Sequence, residues 1–490
     1  MTSPAKAPPH DGQPLERALG LRDLVLFHLV AVIGLRWLAT SAKAGPSALA
    51  LWALAAVFFF VPQGLAVTEL SSRFPDEGGI YAWTKRAFGE GHGFLCGWCY
   101  WVSNVLYYPN LLISTAAIAL YVVGKGEGPL AGDWTYIIAT TMLALWVAVA
   151  LNIVGLGTGK WLQNLGGIGT YVPGVLLIIV GVVAVASRQP SANPITSHNA
   201  VPNLTDFGTL NLWASIAFAF AGLELSSTMG DEIKNPARNL PRSIYIAAPL
   251  IAIVYIAGTG SLLWLVPTGD INIVSGFLQG ISAGMHAISP SLWWVTAFAA
   301  ACYTLGNIGG VGAWLSGPAR VAFVIGLDRY FPPAFGKVHP TWKTPYVAIL
   351  VQAGLASIFL GISVLGKGTT VEKAYLILLD TQLLVYFIPF LYLFASFVVH
   401  RYREGTASAP VHVPGGNGMA TLVGASGFVI TAFAMIVAMI PPGDTADPWT
   451  FRLKVIGGAG GFILVGGAIY WRAQRALART RSSGESPASM

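Results

Sequence analysis

The chain has 490 residues, 54% of them hydrophobic and only 10% Asp, Glu, Lys or Arg. Soluble domains carry about 25% charged residues, so this composition excludes an ordinary globular enzyme and points to a membrane protein. A formal net charge of +7 with three cysteines excludes a disulfide scaffold, and the basic residues gather in particular loops rather than in a patch fit for nucleic acid.

Residues 1–19 begin Pro-rich and polar and are expected to form a disordered N-terminus without a signal-peptide pattern. A helix needs about 20 apolar residues to cross the bilayer core. Segments of that kind fall near 22–44, 46–71, 92–123, 135–154, 161–187, 207–230, 241–266, 292–325, 346–366, 373–400, 418–440 and 453–473. They predict an all-α polytopic membrane protein of about twelve spans over 20–476, followed by a short disordered tail, 477–490.

Span one carries His28, read as a packing residue, and Arg36 midway along. A guanidinium is always charged and its planar fork suits carboxylates, so Arg36 is a candidate for gripping an anionic substrate group. The open alternatives are a fixed pair with Glu224 or Asp380, or snorkelling outward beside Lys43. Span two ends in Glu69 and Arg73, read as a gate pair with the loop after span six or as a solvated helix end. The segment 80–88 is too short to cross and reads as interfacial or re-entrant, as does 271–288. Span three holds Cys96 and Cys99, read as buried thiols, and Asn104, Tyr107, Tyr108 and Pro109, polar groups that glue helices or face a ligand. The stretch 155–160, Gly-Leu-Gly-Thr-Gly-Lys, lacks the spacing of a phosphate loop and reads as a tight turn.

Span six is the most informative. Its apolar run holds Gly222 and Glu224 near the middle and ends in the charged, twice proline-broken stretch 231–242. Glycine weakens a helix, and a carboxylate in hydrocarbon needs a partner, a cavity or a pathway. A break at Ala221 and Gly222 is therefore predicted, with Glu224 either titrating or bracing the broken helix. Phe218 and Phe220 precede the break; Asn307 lies mid-span in span eight among Gly306, Gly309 and Gly310; Asp380, Gln382 and Tyr386 lie in span ten.

Loop charges alternate. One set holds Arg17, Arg22, Arg73, Lys85, Arg86, Lys160, Lys234, Arg238, Arg242, Arg320 and others, against sparse basic residues such as Lys43, Lys125 and Arg188 in the second. The positive-inside rule puts the first set and both termini in the cytoplasm.

The stretch 218–242, with its aromatic pair, Gly-x-Glu and Glu232-x-x-Asn235-Pro236-x-Arg238-x-x-Pro241, resembles the sixth span of the amino acid–polyamine–organocation transporter superfamily. The stretch from Glu69 to Trp83 is similar to that family's loop after span two. Val266-Pro267-Thr268-Gly269-Asp270, Gly317-Pro318-Ala319-Arg320 and Val413-Pro414-Gly415-Gly416-Asn417 resemble the glutamate:GABA antiporter branch. The resemblance implies a five-plus-five inverted repeat of leucine-transporter type with two added helices and with spans one and six broken at the substrate site. The implied substrate-binding residues are Ile33, Gly34, Leu35, Arg36, Trp37, Tyr107, Phe218, Ala221, Gly222, Asn307 and Gln382, with Phe218, Glu224 and Asp380 as gating or proton-linked groups. Where family members commonly carry a small Gly-Ser-Gly-like segment, this chain has Ile33-Gly34-Leu35-Arg36-Trp37.

The expected function is secondary active transport of amino acids by exchange, in the cell membrane. The alternatives are a proton-coupled importer and a transport-dead sensor. The expected partners are small-molecule amino acids and membrane lipid, with a homodimer left open. No enzyme activity, catalytic group, cofactor, metal or nucleic-acid partner is expected.

Overall fold

The computed structural model describes residues 15, 17–126, 128–365, 371–403, 409–440 and 447–483. Among them the regular structure is helical, apart from one isolated bridge between Leu19 and Ile233. The helices are α1 Leu21–Val32, α2 Arg36–Ala42, α3 Ala48–Ala55, α4 Val61–Arg73, α5 Ile80–Phe88, α6 Glu90–Ala119, α7 Trp134–Ile153 and α8 Leu156–Ala186, then α9 Phe207–Ala219, α10 Pro236–Leu265, α11 Gly276–Ile288, α12 Trp293–Leu327, α13 Tyr346–Leu365, α14 Val371–Tyr402, α15 Gly416–Ala438 and α16 Pro448–Ser483.

Among the described residues nine helices are long and apolar enough to cross a membrane, or ten when α1 and α2, bent by 41°, count as one span. The two further segments read as spans from sequence form shorter apolar helices, Phe207–Ala219 and Tyr346–Gly361. The short segment 80–88 is helical over that length, and 271–288 holds α11, which starts at Gly276. The turn expected over 155–160 closes within Gly155, and α8 begins at Leu156. At the ends, Ala18 and Leu19 are buried, and α16 carries helix past 477, where composition set the tail.

Local chemistry sets the helix ends. Asp133, Asp206 and Asp447 each accept hydrogen bonds from backbone N–H groups two or three residues on, which satisfies donors that a helix start leaves open. The Thr209 hydroxyl and N–H hold the exposed Asp206 carboxyl below the usual carboxylate range. α3 and α4 are one continuous rod with a π turn at Ala56–Phe60. Pro62, which follows that turn, has no N–H to donate, so the widened turn accommodates a missing rung.

α12 is the central post, with 89% of its most apolar stretch buried, whereas only 17% is buried in α16 at the rim. α12 packs on α6, α7 and α8, while α1 packs on α8 and α10. The α8–α12 seam is made by glycines. A Cβ at Gly309 would lie 2.6 Å from Gly166 Cα and 2.7 Å from Leu162 O, and one at Gly169 would lie 2.5 Å from Cys302 O. Backbones therefore touch directly, as small residues allow in membrane helices. Cys96 and Cys99 are buried free thiols, and Cys302 is also unpaired by disulfide.

Gly309→Leu should overpack this seam at a cost of about 1–3 kcal/mol. Thermal unfolding of the purified protein should show a lower melting temperature; an unchanged one would contradict the close approach.

Candidate functional site

Two interrupted helices meet at the centre of the bundle. In the first, α1 ends at Val32 and α2 restarts at Arg36. Gly34 occupies the gap, where a Cβ would lie 2.8 Å from Trp37 Cδ1. In the second, α9 ends at Ala219 and a 3-10 segment resumes at Leu225–Glu232. Gly222 has φ +129°, a conformation that side chains disfavour, and a Cβ there would lie 3.1 Å from Val32 Cγ2. The two breaks are therefore in contact.

Breaking a helix frees backbone groups that need partners in a dry interior. Tyr255 on α10 supplies one hydroxyl to both breaks. It accepts from the Gly34 N–H at 3.0 Å and lies 2.5 Å from Val32 O and 3.0 Å from Ala219 O, to which its proton is directed. Trp314 Nε1 donates to Ala31 O at 3.0 Å. His28 Nε2, fully buried, lies 2.9 Å from Ser226 Oγ and 3.3 Å from Leu223 O.

A narrow cavity lies beside the breaks. Its walls are Ala31, Val32, Gly34, Arg36 and Trp37 from the first broken helix, Phe218, Ala219 and Ala221 from the second, and Tyr107, Trp314, Gln382 and Tyr386 from α6, α12 and α14. The Arg36 guanidinium carbon lies 5.1 Å from the Trp37 ring centre and 5.7 Å from that of Tyr107, within cation–π range. Phe218 meets Trp37 and Tyr386 edge to face, at 5.6 and 5.5 Å between centroids. The cavity is thus an aromatic box with one guanidinium in its wall.

Glu224 stands one layer behind. Its Oε1 accepts from Tyr386 Oη at 2.6 Å and Tyr100 Oη at 3.1 Å, and its Oε2 from Gln63 Nε2 at 2.8 Å and the Gly222 N–H at 3.1 Å. Among the described residues no ion pair joins Arg36 to Glu224; four neutral donors surround the carboxyl instead. The side chain of Asp380 lies outside the described residues.

Of the residues singled out from sequence, Gly34, Arg36, Trp37, Tyr107, Phe218, Ala221 and Gln382 come together around the cavity. Ile33, Leu35 and Gly222 are buried in the breaks without lining it, and Asn307 is buried on α12 away from it. Asn104 donates back to Tyr100 O at 2.7 Å, within its own helix. Trp314 escapes sequence reading, because one more Trp in an apolar span carries no distinguishing signal. Ala31, Val32 and Ala219 escape it for the same reason.

Two charge placements differ from expectation. Glu69 does pair with Arg73, at 3.1 Å, but its further partners are Arg401 at 2.7 Å and the Val413 N–H at 2.8 Å, not the segment after the second break. Arg320, counted from sequence among the loop charges, lies fully buried inside α12. There its Nε and Nη2 bind Glu232 Oε2 and Oε1 at 2.7 and 2.9 Å, a bidentate pair.

The family model described as amino acid permease matches residues 19–460. An uncharacterized transporter of Legionella pneumophila is 29% identical over 454 residues, covering 92% of this chain and 96% of that protein. A glutamate/gamma-aminobutyrate antiporter of Lactococcus lactis is 22% identical, covering 82% and 80%, respectively. A probable agmatine/putrescine antiporter of the same species is 23% identical, covering 88% and 90%.

Tyr255→Phe keeps the ring and removes the hydroxyl shared by both breaks. It should cost about 1–3 kcal/mol, because a buried N–H loses its acceptor. The melting temperature should fall, while Tyr245→Phe, on an exposed ring, should leave it unchanged. Equal melting temperatures for the two variants would rule out the bridging role.

Proposed function

The chain belongs to the amino acid permease family, and from that premise we propose that it exchanges amino acids across the cell membrane by alternating access. The observation that carries the reading is the cavity where two broken helices meet, with Arg36 in its wall. Broken helices at membrane depth are a recurrent way of building a substrate site in secondary transporters. The guanidinium suits a carboxylate, which every amino acid has, and the rings of Phe218, Tyr107 and Trp314 suit its carbon body. Phe218 is the gating aromatic in this reading, since it packs edge to face with Trp37 of the first broken helix and Tyr386 of α14. The paired breaks also support the five-plus-five repeat, and the helical character of all twelve segments supports twelve spans. An even number of spans puts both termini on one side, and the loop charges make that side the cytoplasm.

The second reading is a proton-coupled importer. Glu224 favours it, as a buried carboxyl joined through Tyr386 to the cavity wall. Counterflow in proteoliposomes separates the two. Exchange predicts that unlabelled internal amino acid accelerates entry of a labelled one with no proton gradient; dependence on an imposed gradient would favour the importer.

Arg36→Lys should weaken substrate binding roughly tenfold to hundredfold, because losing a charge-assisted hydrogen bond costs about 1.5–3 kcal/mol and a point charge cannot reproduce a bidentate fork. Undiminished affinity in a well-folded Arg36→Lys would remove Arg36 from the substrate site.

The orientation has its own check. Cysteines placed at Lys160 and Arg238 should react from the cytoplasmic side and one at Ser197 from the outside. The reverse pattern would invert the topology.

A further inference from the structure

The loop 74–79, which follows α4, lies directly on the 3-10 segment Leu225–Glu232 beyond the second break. Gly78 and Gly79 have φ +91° and +42°, and a Cβ on Gly79 would collide with Ser227 Oγ. A Cβ on Gly230 would collide with Pro75 O. The Gly78 N–H donates to Thr228 O at 3.1 Å, and the Asp231 N–H donates to Glu77 Oε2 at 3.0 Å. The stretch before α1 is tied to the same segment, with the Leu19 N–H on Glu232 O at 3.1 Å and the Lys234 N–H on Leu19 O at 2.9 Å.

Glu77 is buried and its Oε1 has no hydrogen-bond partner. The charged groups facing it are Asp231 and Glu232 on the segment and Arg320 on α12. Arg320 is committed elsewhere: Nε and Nη2 bind Glu232, and Nη1 donates to Ser316 O at 3.0 Å. On its own side, Asp76 is held by Arg86 at 2.5 Å, while Lys85 and Tyr81 of α5 turn to Asp328. Two buried carboxyls thus lie beside one buried cation, whose Nε and Nη2 are engaged by Glu232. An ionised Glu77 would leave surplus negative charge in a dry node, which is costly.

We propose that Glu77 is a proton-binding group of a latch, protonated while the 74–79 loop is seated on the segment after the second break and releasing that proton to water when the loop lifts. Only the carboxylic O–H bond breaks, and water takes the proton. Burial first, then Glu232 and Asp231, push the Glu77 carboxyl well above its ordinary range, while Arg320 pulls the other way. The sign follows. The seated state binds the proton more tightly than the lifted state, where the carboxyl ionises near its ordinary value of about 4.3. Lifting is therefore favoured as pH rises from that value towards the raised value of the seated state, and is independent of pH on either side of that window. In the transport cycle, which rests on the alternating-access reading, the latch would couple opening of this face to loss of a proton.

The test uses the full chain, purified and without substrate, so that failure of the transport reading leaves it intact. Ser227 is buried beneath the loop and Arg238 is exposed nearby. Ser227→Cys and Arg238→Cys are labelled with a soluble thiol reagent from about pH 5 to about pH 8, with the parent chain as background for its three native cysteines. The ratio of the two rates removes the intrinsic pH dependence of the thiol. It should rise with pH, by up to roughly tenfold per unit for one released proton. Adding Glu77→Gln, which mimics the protonated acid, should flatten the ratio. A flat ratio in the Glu77 chain, or a Ser227→Cys that never labels, overturns the proposal even if Glu77→Gln fails to fold. So does an unchanged slope in a folded Glu77→Gln, because another group would then carry the proton.

Discussion

The obligation to satisfy every backbone polar group away from water governs this structure. A continuous helix meets it internally, but α1 and α9 both stop in the middle of the bundle. Each stop exposes carbonyls and N–H groups, and an unpaired one costs about 1–3 kcal/mol. The chain answers with a few side chains placed on neighbouring helices. Tyr255 serves Val32, Gly34 and Ala219; Trp314 serves Ala31; His28 reaches Leu223 and Ser226. Glu224 is held to the Gly222 N–H. Because those partners converge on one place, the breaks converge there too, and the cavity forms where they meet.

Buried charge is managed on the same principle, by different means at different places in the bundle. Glu224, fully buried, is surrounded by hydroxyl, amide and backbone donors. Arg320 and Glu232 form a bidentate pair with both groups dry. Removing one partner of such a pair typically costs about 3–5 kcal/mol, so each fixes the position of the other. Glu69, toward the helix end, shares Arg73 and Arg401 and a backbone N–H from the loop before α15. The pattern ties α4, the segment after the second break, α12 and α14 to one another through charge, where apolar packing alone would let them slide.

Hydropathy made the helices legible, since a run of apolar residues long enough to cross reads directly from the sequence. The second break was legible as well, because Gly222 and Glu224 are expensive inside an apolar span. The first break was not legible from composition. A single Gly34 between bulky neighbours looks unexceptional until a Cβ is seen to meet Trp37. Arg320 misled the loop-charge count because α12 runs for 35 residues, so a residue near its end is still inside the bundle. The burial of Glu77 leaves no mark in the sequence, because it comes from the seating of its loop against Gly230. Trp314 and Tyr255 were invisible for a different reason. Their roles lie in where the indole N–H and the phenol O–H point, which no periodicity records.

The contacts also divide into two physical kinds. The α8–α12 seam is backbone against backbone over several turns, through Gly166, Gly169, Gly306 and Gly309. Close backbone approach leaves little room for adjustment there, and Gln163 of α8 adds a side-chain hydrogen bond to Ser316 of α12 at 2.9 Å. The contacts around the breaks are single hydroxyls, an indole, an imidazole and a carboxyl. Each is worth about 1 kcal/mol net and can be exchanged for another partner, one at a time. A protein that keeps a rigid seam beside an exchangeable set of point contacts has its mechanical contrast built at the site. The stiff helices supply the frame, and the two broken ones supply the parts whose hydrogen bonds can change hands.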